Sequence, residues 1–218
     1  FTSCSDWLNV EPKTTVKEEE VFSRELGFKE ALTGAYIKMA STGLYARNLS
    51  YGFLDILGGR YNQGTNQKDY YTFAPDPSSL VESYCESIWS NMYNIIANLN
   101  NLLYYCDKNK SVFTTPDYYE IIKGEALGLR AFLHFDLYRL FCPDVKLSPR
   151  AEGIPYNKEF GVALPPMYTV EEVVQLVIND LKEAETLLAS DPIVSTVPYT
   201  LGTKSDADKY VARMNLYG

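Results

Sequence analysis

The sequence predicts an all-α fold of paired antiparallel helices that are joined by long irregular loops. Four segments repeat apolar residues every three or four positions, at 16–40, 78–106, 116–142 and 169–188. The segments between them are rich in residues that favour turns. Because such loops join neighbouring helices, we expect helix hairpins stacked side by side. No sequence repeat of about 34 residues is evident, so the prediction of a helical solenoid rests on this architecture alone.

The first predicted helix spans 16–40 and follows an extended tail at 1–14 that has no periodicity. One face of this helix is apolar and consists of Phe28, Leu32, Ala35, Tyr36 and Met39. A short apolar stretch follows at 50–59. The next segment, 60–79, is rich in Asn, Gln, Gly, Tyr and Pro and is predicted to be a long loop.

The second predicted helix begins after Ser79, and Glu82 is placed to complete a capping box. Its apolar stripe consists of Ile88, Met92, Ile95, Ile96, Leu99, Leu102 and Leu103. The third helix is expected to have Pro116 near its first position and to stop before Pro143. Its apolar residues lie on several sides, which predicts burial on more than one face. We expect the two helices to pack on each other, with Leu99 and Phe132 in the core.

The segment 143–168 holds five prolines and is expected to be an irregular connection with room for a brief strand. Thr169 is placed to cap the next helix. The predicted apolar face of that helix consists of Val173, Val177, Leu181, Ala184 and Leu188. A further helix is expected to begin at Ser205. Together these elements predict one helical domain over 15–218.

The composition excludes several classes of protein and site. A formal net charge of −8 argues against binding to nucleic acid or to anionic lipid, both of which need a basic face. No apolar run reaches the roughly 18 residues that a membrane-spanning helix needs. Cys85 and Cys106 fall on one predicted helix and lie too far apart for a disulfide. The spacing of the cysteines and the single histidine does not suit a metal site, so no metal or other cofactor is predicted.

The sequence predicts a binding protein and not an enzyme. It contains no GxSxG, HExxH, P-loop or GxGxxG motif. His134 lies within a helix among large apolar neighbours and is interpreted as a packed core residue. The 28 acidic residues allow many carboxylate pairs, so a glycosidase stays open as a remote alternative. No spacing, however, singles out one such pair.

The loop at 60–79 carries side chains that suit a sugar ligand. Aromatic rings stack on the C–H faces of sugars, while amide and guanidinium groups bridge their hydroxyls. Both kinds of group occur within twelve residues, at Arg60, Tyr61, Asn62, Gln63, Asn66, Tyr70 and Tyr71. Long irregular loops in compact domains are often functional, so these residues form the predicted ligand site. The alternative is a polar surface loop whose tyrosines cover a helix end, because turn-forming composition alone explains its Asn and Gly.

Several segments resemble the SusD-like (RagB/SusD) family of outer-membrane lipoproteins of Bacteroidetes. The stretch CSDWLNVEP at 4–12 is similar to the family's mature N-terminus, and GFKEALTGAYIKM at 27–39 is similar to its first long helix. The segment at 124–145 resembles the family helix that carries Glu-Ala-x-x-x-Arg-Ala. The segments at 169–188 and 203–218 resemble the two helices after it. The resemblance covers nearly the whole chain in the family's order.

The resemblance implies a tetratricopeptide-like scaffold and a lipid-anchored protein on the outer surface of the outer membrane. It implies that the protein captures oligosaccharides and delivers them to a TonB-dependent SusC-like porin. Some members serve peptides, so a peptide ligand is the main alternative. It also implies that 1–14 is a tether whose Cys4 carries the lipid, the alternative being an incidental cysteine. Family chains are longer, so the domain over 15–218 is expected to be truncated before a C-terminal half. The family's ligand residues do not map individually onto the loop, so the site at 60–71 rests on chemistry and location.

Overall fold

Six α-helices and one short β-hairpin make up the part of the chain that the structure describes. The computed structural model describes residues 18–61, 80–161, 165–189 and 191. The elements are α1 (Glu18–Val21), α2 (Glu25–Met39), α3 (Phe53–Leu57), α4 (Leu80–Lys108), α5 (Tyr118–Phe141), β1 (Glu152–Pro155), β2 (Met167–Thr169) and α6 (Val170–Leu188). A 3₁₀ turn at Lys110–Val112 lies between α4 and α5. The predicted all-α class is therefore confirmed, with a small sheet added to it.

The first predicted helix, at 16–40, is interrupted in the structure. A short break separates α1 from α2, where Phe22 turns into the core and stacks on Tyr105 with ring centroids 4.6 Å apart. Gly27 then lies against the backbone of Val21, where an added Cβ would come within 1.8 Å of the carbonyl oxygen. The prediction of one continuous helix was therefore wrong, because burial of a single aromatic side chain outweighs helical continuity at this point.

The predicted apolar stripe of α4 is confirmed. All seven of its residues, from Ile88 to Leu103, are buried. Because α4 is one continuous helix, Cys85 and Cys106 lie far apart along it, and both are free thiols. The expected cap at Ser79 lies outside the described residues, and so does the rest of the predicted loop, at 62–78.

Helices α4 and α5 run antiparallel, and their predicted packing is confirmed. At one end Lys123 Nζ lies 2.7 Å from Asp107 Oδ1. At the other end the rings of Trp89 and Phe141 meet edge to face, with centroids 5.1 Å apart. The expectation for Phe132 was wrong, because this side chain is 43% exposed on the outer face of α5.

Helix α5 begins two residues later than the sequence suggested. Pro116 was expected near its first position, but the helix starts at Tyr118. The residue between them, Asp117, adopts a left-handed backbone conformation with φ of 60°, so the proline stays outside the helix. The end is as predicted, since α5 stops at Phe141 and Pro143 follows. Buried residues lie on several of its faces, as expected, and they include polar and charged side chains.

The connection after α5 contains a short antiparallel hairpin. Strand β1 pairs with β2, and Glu152 lies opposite Thr169. Gly153 permits this close approach, because an added Cβ would lie 2.9 Å from a carbonyl oxygen of the facing strand. The brief strand that the sequence allowed is therefore one of a pair. The segment 156–161, which follows β1, lies beside α4 and α5.

Helix α6 packs antiparallel on α5. Near the end of α6, Leu188 contacts Gly124 so closely that an added Cβ would lie 2.8 Å from Leu188 Cγ. Further along, Asp180 forms an ion pair with Arg130 of α5. The absence of a side chain at Gly124 thus lets the two backbones approach.

The start of α6 is as predicted, but its apolar face is only partly so. The Thr169 hydroxyl accepts from the Glu172 N–H, and the Glu172 side chain accepts from the Thr169 N–H, which completes a capping box. Val173, Val177 and Ala184 are buried, whereas Leu181 is 47% exposed. Asp180 takes the buried position instead, because position 181 is rotated by about 100° around the helix.

Two further predictions lie outside the described residues. These are the tail at 1–14, with Cys4, and the helix expected from Ser205. Among the helices that the structure does describe, none is long and apolar enough to cross a membrane.

Candidate functional site

Two of the seven predicted ligand residues lie in the described part of the chain. Arg60 follows α3, and its Nε lies 3.4 Å from Asp55 Oδ1 of that helix. Tyr61 is 52% exposed, and its hydroxyl donates to the Tyr51 carbonyl oxygen over 3.5 Å. A cation and an aromatic ring therefore stand next to each other where the loop begins. The other five lie outside the described residues, namely Asn62, Gln63, Asn66, Tyr70 and Tyr71.

A cleft of about 440 Å³ lies near the C-terminal end of α4. We call it the α4–α5 cleft, because those helices form most of it together with the segment after β1. Its volume falls within the range of about 300–1,000 Å³ that is usual for ligand pockets. Tyr104, Phe160 and Asp107 lie at its open edge, while Lys123 and Arg130 lie deeper. The sequence analysis identified none of these five as site residues.

The open edge of the cleft is an aromatic wall. Tyr104 is 46% exposed and Phe160 is 42% exposed, and their ring centroids lie 5.2 Å apart. Buried Tyr105 supports both rings, at 5.1 Å from Tyr104 and 6.2 Å from Phe160. Phe22 stacks on Tyr105 from the core side. The two outer rings are thus held by the core while part of each stays open to solvent.

An ion pair between Lys123 and Asp107 forms part of the cleft lining. Lys123 Nζ and the Tyr119 hydroxyl each donate to Asp107 Oδ1 over 2.7 Å. Burial works to raise the pKa of Asp107, but the hydrogen bonds from Lys123 and Tyr119 outweigh it and lower this pKa. Burial works to lower the pKa of Lys123, but the hydrogen bond to Asp107 outweighs it and raises this pKa. Both groups are therefore charged at neutral pH, and their charges cancel.

A buried ion pair closes the back of the cleft. Arg130 is bidentate to Asp180, with Nε to Oδ2 at 2.7 Å and Nη2 to Oδ1 at 2.9 Å. Arg130 Nη1 also donates to Asn100 Oδ1 over 3.0 Å and to the Lys158 carbonyl oxygen over 3.3 Å. The Tyr156 hydroxyl donates to Asp180 Oδ2 over 2.7 Å. These bonds join α4, α5, α6 and the segment after β1 at one point.

His134 holds the same segment from α5. The Asn157 N–H donates to His134 Nε2 over 3.1 Å, so Nδ1 carries the proton and donates to the Arg130 carbonyl oxygen over 2.8 Å. Asn100 Nδ2 donates to the Asn157 carbonyl oxygen, and the Tyr156 ring stacks on the imidazole with centroids 3.9 Å apart. Burial lowers the pKa of His134 to about 4. The interpretation of His134 as a packed core residue is confirmed, although its bond to Asn157 was not foreseen.

Acidification is expected to destabilise the protein through His134. Its pKa is about 4 in the folded state and close to the ordinary imidazole value of 6.5 in the unfolded state. The unfolded state therefore takes up the proton first, and stability is lost as the pH falls from about 6.5 towards 4. At a pH of about 5 the expected loss is about 2 kcal/mol. Urea unfolding at a pH of about 7.5 and about 5 measures it, since most carboxylates stay charged over this range.

The control for this experiment is His134→Gln, which cannot titrate. His134 is the single histidine of the sequence, so the substitution removes the whole imidazole contribution. We expect the variant to lose clearly less stability between the two pH values than the unsubstituted protein does. Equal losses in the two proteins would contradict the assignment.

Part of this network had a signal in the sequence. Arg130 lies in a predicted helix whose apolar residues fall on several sides, and Asp180 falls on the buried face of α6 between Val177 and Ala184. Because buried charges are almost always paired, two opposite charges on neighbouring buried faces predict an ion pair. Tyr104 and Phe160 offered no such signal, since they come together only in the folded chain.

The protein-family model for SusD-like proteins, described as starch-binding and associating with the outer membrane, matches residues 6–216. Among curated proteins, SusD-like protein P38 of Formosa agariphila is 28% identical over 205 residues. The match covers 88% of this chain and 36% of that protein. The chain therefore spans little more than a third of the length of this relative.

Solved structures share the fold. A SusD superfamily protein of Bacteroides thetaiotaomicron matches with a TM-score of 0.63 at 21% identity, over 75% of this chain and 37% of that chain. A SusD-like carbohydrate binding protein of Bacteroides vulgatus matches with a TM-score of 0.58 at 21% identity, over 83% of this chain and 38% of that chain. At these identities the likeness concerns the arrangement of helices.

Proposed function

The chain belongs to the SusD-like family, and from this premise we propose that it is a cell-surface lipoprotein that captures oligosaccharides for a TonB-dependent SusC-like porin. The family match over residues 6–216 carries the proposal, because that family is described as starch-binding and associated with the outer membrane. The all-α fold agrees with it. We propose binding without catalysis, since the family description concerns binding alone.

We propose that the loop at 60–71 makes the first contact with the glycan. Tyr61 presents a half-exposed ring, and Tyr70 and Tyr71 supply two more aromatic side chains. The ion pair with Asp55 restrains the Arg60 guanidinium, while 76% of that side chain stays exposed for sugar hydroxyls. An open platform of this kind supports modest affinity, which suits a ligand that must be handed on to a porin.

Replacing Tyr61, Tyr70 and Tyr71 together by alanine is expected to weaken glycan binding by about tenfold or more. The physical reason is the loss of ring stacking, because each well-placed aromatic contact contributes about 1 kcal/mol. Calorimetric titration with malto-, xylo- and manno-oligosaccharides and with oligopeptides measures the effect and separates the two ligand classes. Phe135→Ala, at an exposed ring on α5, serves as the control.

The thermal unfolding temperature of the same variants decides between the two interpretations of the loop. Unchanged folding with lost affinity supports the binding role. Lost affinity together with lost folding would show that the tyrosines cover a helix end, and unchanged affinity would move the glycan site out of the loop.

We propose that Cys4 carries the lipid anchor and that residues 1–14 form a tether. When the chain is expressed behind a lipoprotein signal sequence, the protein should be labelled by radioactive fatty acid and should sediment with membranes. Cys4→Ala should abolish the labelling and release the protein. The test belongs in cells that lack the porin, because retention of the variant on membranes there would disprove the anchor.

A further inference from the structure

The α4–α5 cleft places an aromatic edge and hydrogen-bonding groups around one space. Tyr104 and Phe160 form the edge, and Lys123 and Glu183 contribute an ammonium and a carboxylate to the lining. A pyranose ring likewise presents one apolar and one hydrogen-bonding kind of surface. Its C–H faces pack on aromatic rings, and the hydroxyls around its rim donate and accept hydrogen bonds. The cleft therefore matches the two kinds of surface that a sugar presents.

The charges that line the cleft nearly balance one another. Three side chains are basic and three are acidic, namely Lys123, Arg130, Lys158, Asp107, Glu159 and Glu183. Lys123 is paired with Asp107, and Arg130 is paired with Asp180, which is not in the lining, so Lys158 remains against Glu159 and Glu183. A phosphate site would hold an excess of cations, and a site for a basic peptide would hold an excess of carboxylates. One excess carboxylate is too few for a basic peptide and the wrong sign for a phosphate, so the lining favours a neutral ligand rich in hydroxyls.

The wall that carries Phe160 is fixed before any ligand arrives. The Lys158 carbonyl accepts from Arg130, and Asn157 is held at its N–H by His134 and at its carbonyl by Asn100. A site that needs no ordering on binding avoids that entropic cost. These hydrogen bonds therefore fix the shape of the cleft that a single sugar ring would enter.

We infer that the α4–α5 cleft is a second ligand site, which takes one sugar unit of a neutral oligosaccharide independently of the loop at 60–71. The inference rests on the proposed glycan-binding function and adds a site to it. The described start of the loop, Arg60 and Tyr61, follows α3, whose Phe53 ring packs on Tyr84 of α4 with centroids 5.4 Å apart. Tyr104 lies about 30 Å further along α4 at 1.5 Å per residue, a distance that one sugar unit cannot span.

The experiment titrates the 218-residue chain with maltose and longer malto-oligosaccharides by calorimetry. If another neutral glycan of the panel binds more tightly, that glycan replaces them. Tyr104→Ala and Phe160→Ala are each expected to weaken binding at the cleft by about tenfold. Phe135→Ala, with a similarly exposed ring on α5 outside the cleft, should bind normally. In the variant that lacks Tyr61, Tyr70 and Tyr71, adding Tyr104→Ala should weaken the remaining binding by about a further tenfold.

The outcomes separate the inference from the proposed function. Unaltered affinity in Tyr104→Ala and Phe160→Ala, with glycan binding intact in the unsubstituted protein, would overturn the cleft site alone. A chain that binds none of the glycans would overturn the proposed function and the cleft site with it. If Tyr104→Ala unfolds, Tyr104→Leu keeps the apolar bulk without the aromatic face, and normal affinity in that variant would overturn the inference. Ligand-dependent shifts of the Phe160 ring protons in NMR spectra would support it.

Discussion

Asp180→Ala is expected to destabilise the fold by about 3–5 kcal/mol. The substitution leaves the Arg130 guanidinium buried without its bidentate counter-charge. It also removes the acceptor of the Tyr156 hydroxyl. Since this pair joins α5 to α6, the loss should appear as a lower urea midpoint for the whole transition, followed by circular dichroism. Asp180→Asn should lose less, because an amide oxygen still accepts one hydrogen bond.

Two controls distinguish a buried charge effect from general loss of an ion pair. Asp107→Ala breaks the pair with Lys123, in which the Asp107 side chain is 58% exposed, and should cost only about 1 kcal/mol or less. The double substitution Arg130→Met with Asp180→Leu removes both charges and should cost less than Asp180→Ala alone. A double variant that is less stable than the single one would show that packing, and not an orphaned charge, explains the loss.

The elements that the sequence predicted well are those set by local chemistry. The stripe of α4 follows from helical spacing alone, and the start of α6 follows from Thr169 and Glu172 within one turn. The predictions failed where a contact with a residue distant in the sequence determines the local structure. Phe22 breaks the first helix because Tyr105, far along the chain, offers it a stacking surface. In α6 the buried position falls to Asp180, because Arg130 of another helix supplies the matching charge.

The two candidate sites differ in the same way, because one was predicted from local sequence and the other depends on tertiary contacts. The loop was predicted as a ligand site from its composition alone, because the guanidinium of Arg60 and the ring of Tyr61 suit a sugar whatever the position of the loop. The α4–α5 cleft could not be predicted in this way, because neither Tyr104 nor Phe160 is unusual within its own segment. The hairpin brings the two together, and His134 holds the connecting segment in place through a single backbone hydrogen bond. A site of that kind depends on tertiary contacts that periodicity does not encode.

Leu99→Ala is expected to cost about 2–5 kcal/mol, because the side chain is 1% exposed and its removal leaves a cavity between packed helices. The sequence placed Phe132 in the same core, and the structure separates the two residues. The Phe132 ring packs against Tyr45 with centroids 5.4 Å apart and stays 43% exposed.

Phe132→Ala should therefore cost only about 1 kcal/mol, although it removes the larger side chain, because much of the apolar surface of Phe132 is already exposed to water. Urea unfolding of the two variants side by side measures the difference. If side-chain size decided the result, Phe132→Ala would be the more damaging change, and burial would be the wrong explanation. The order predicted here, with the smaller residue costing more, holds only if α4 supplies the centre of the core and α5 presents its Phe132 face to solvent.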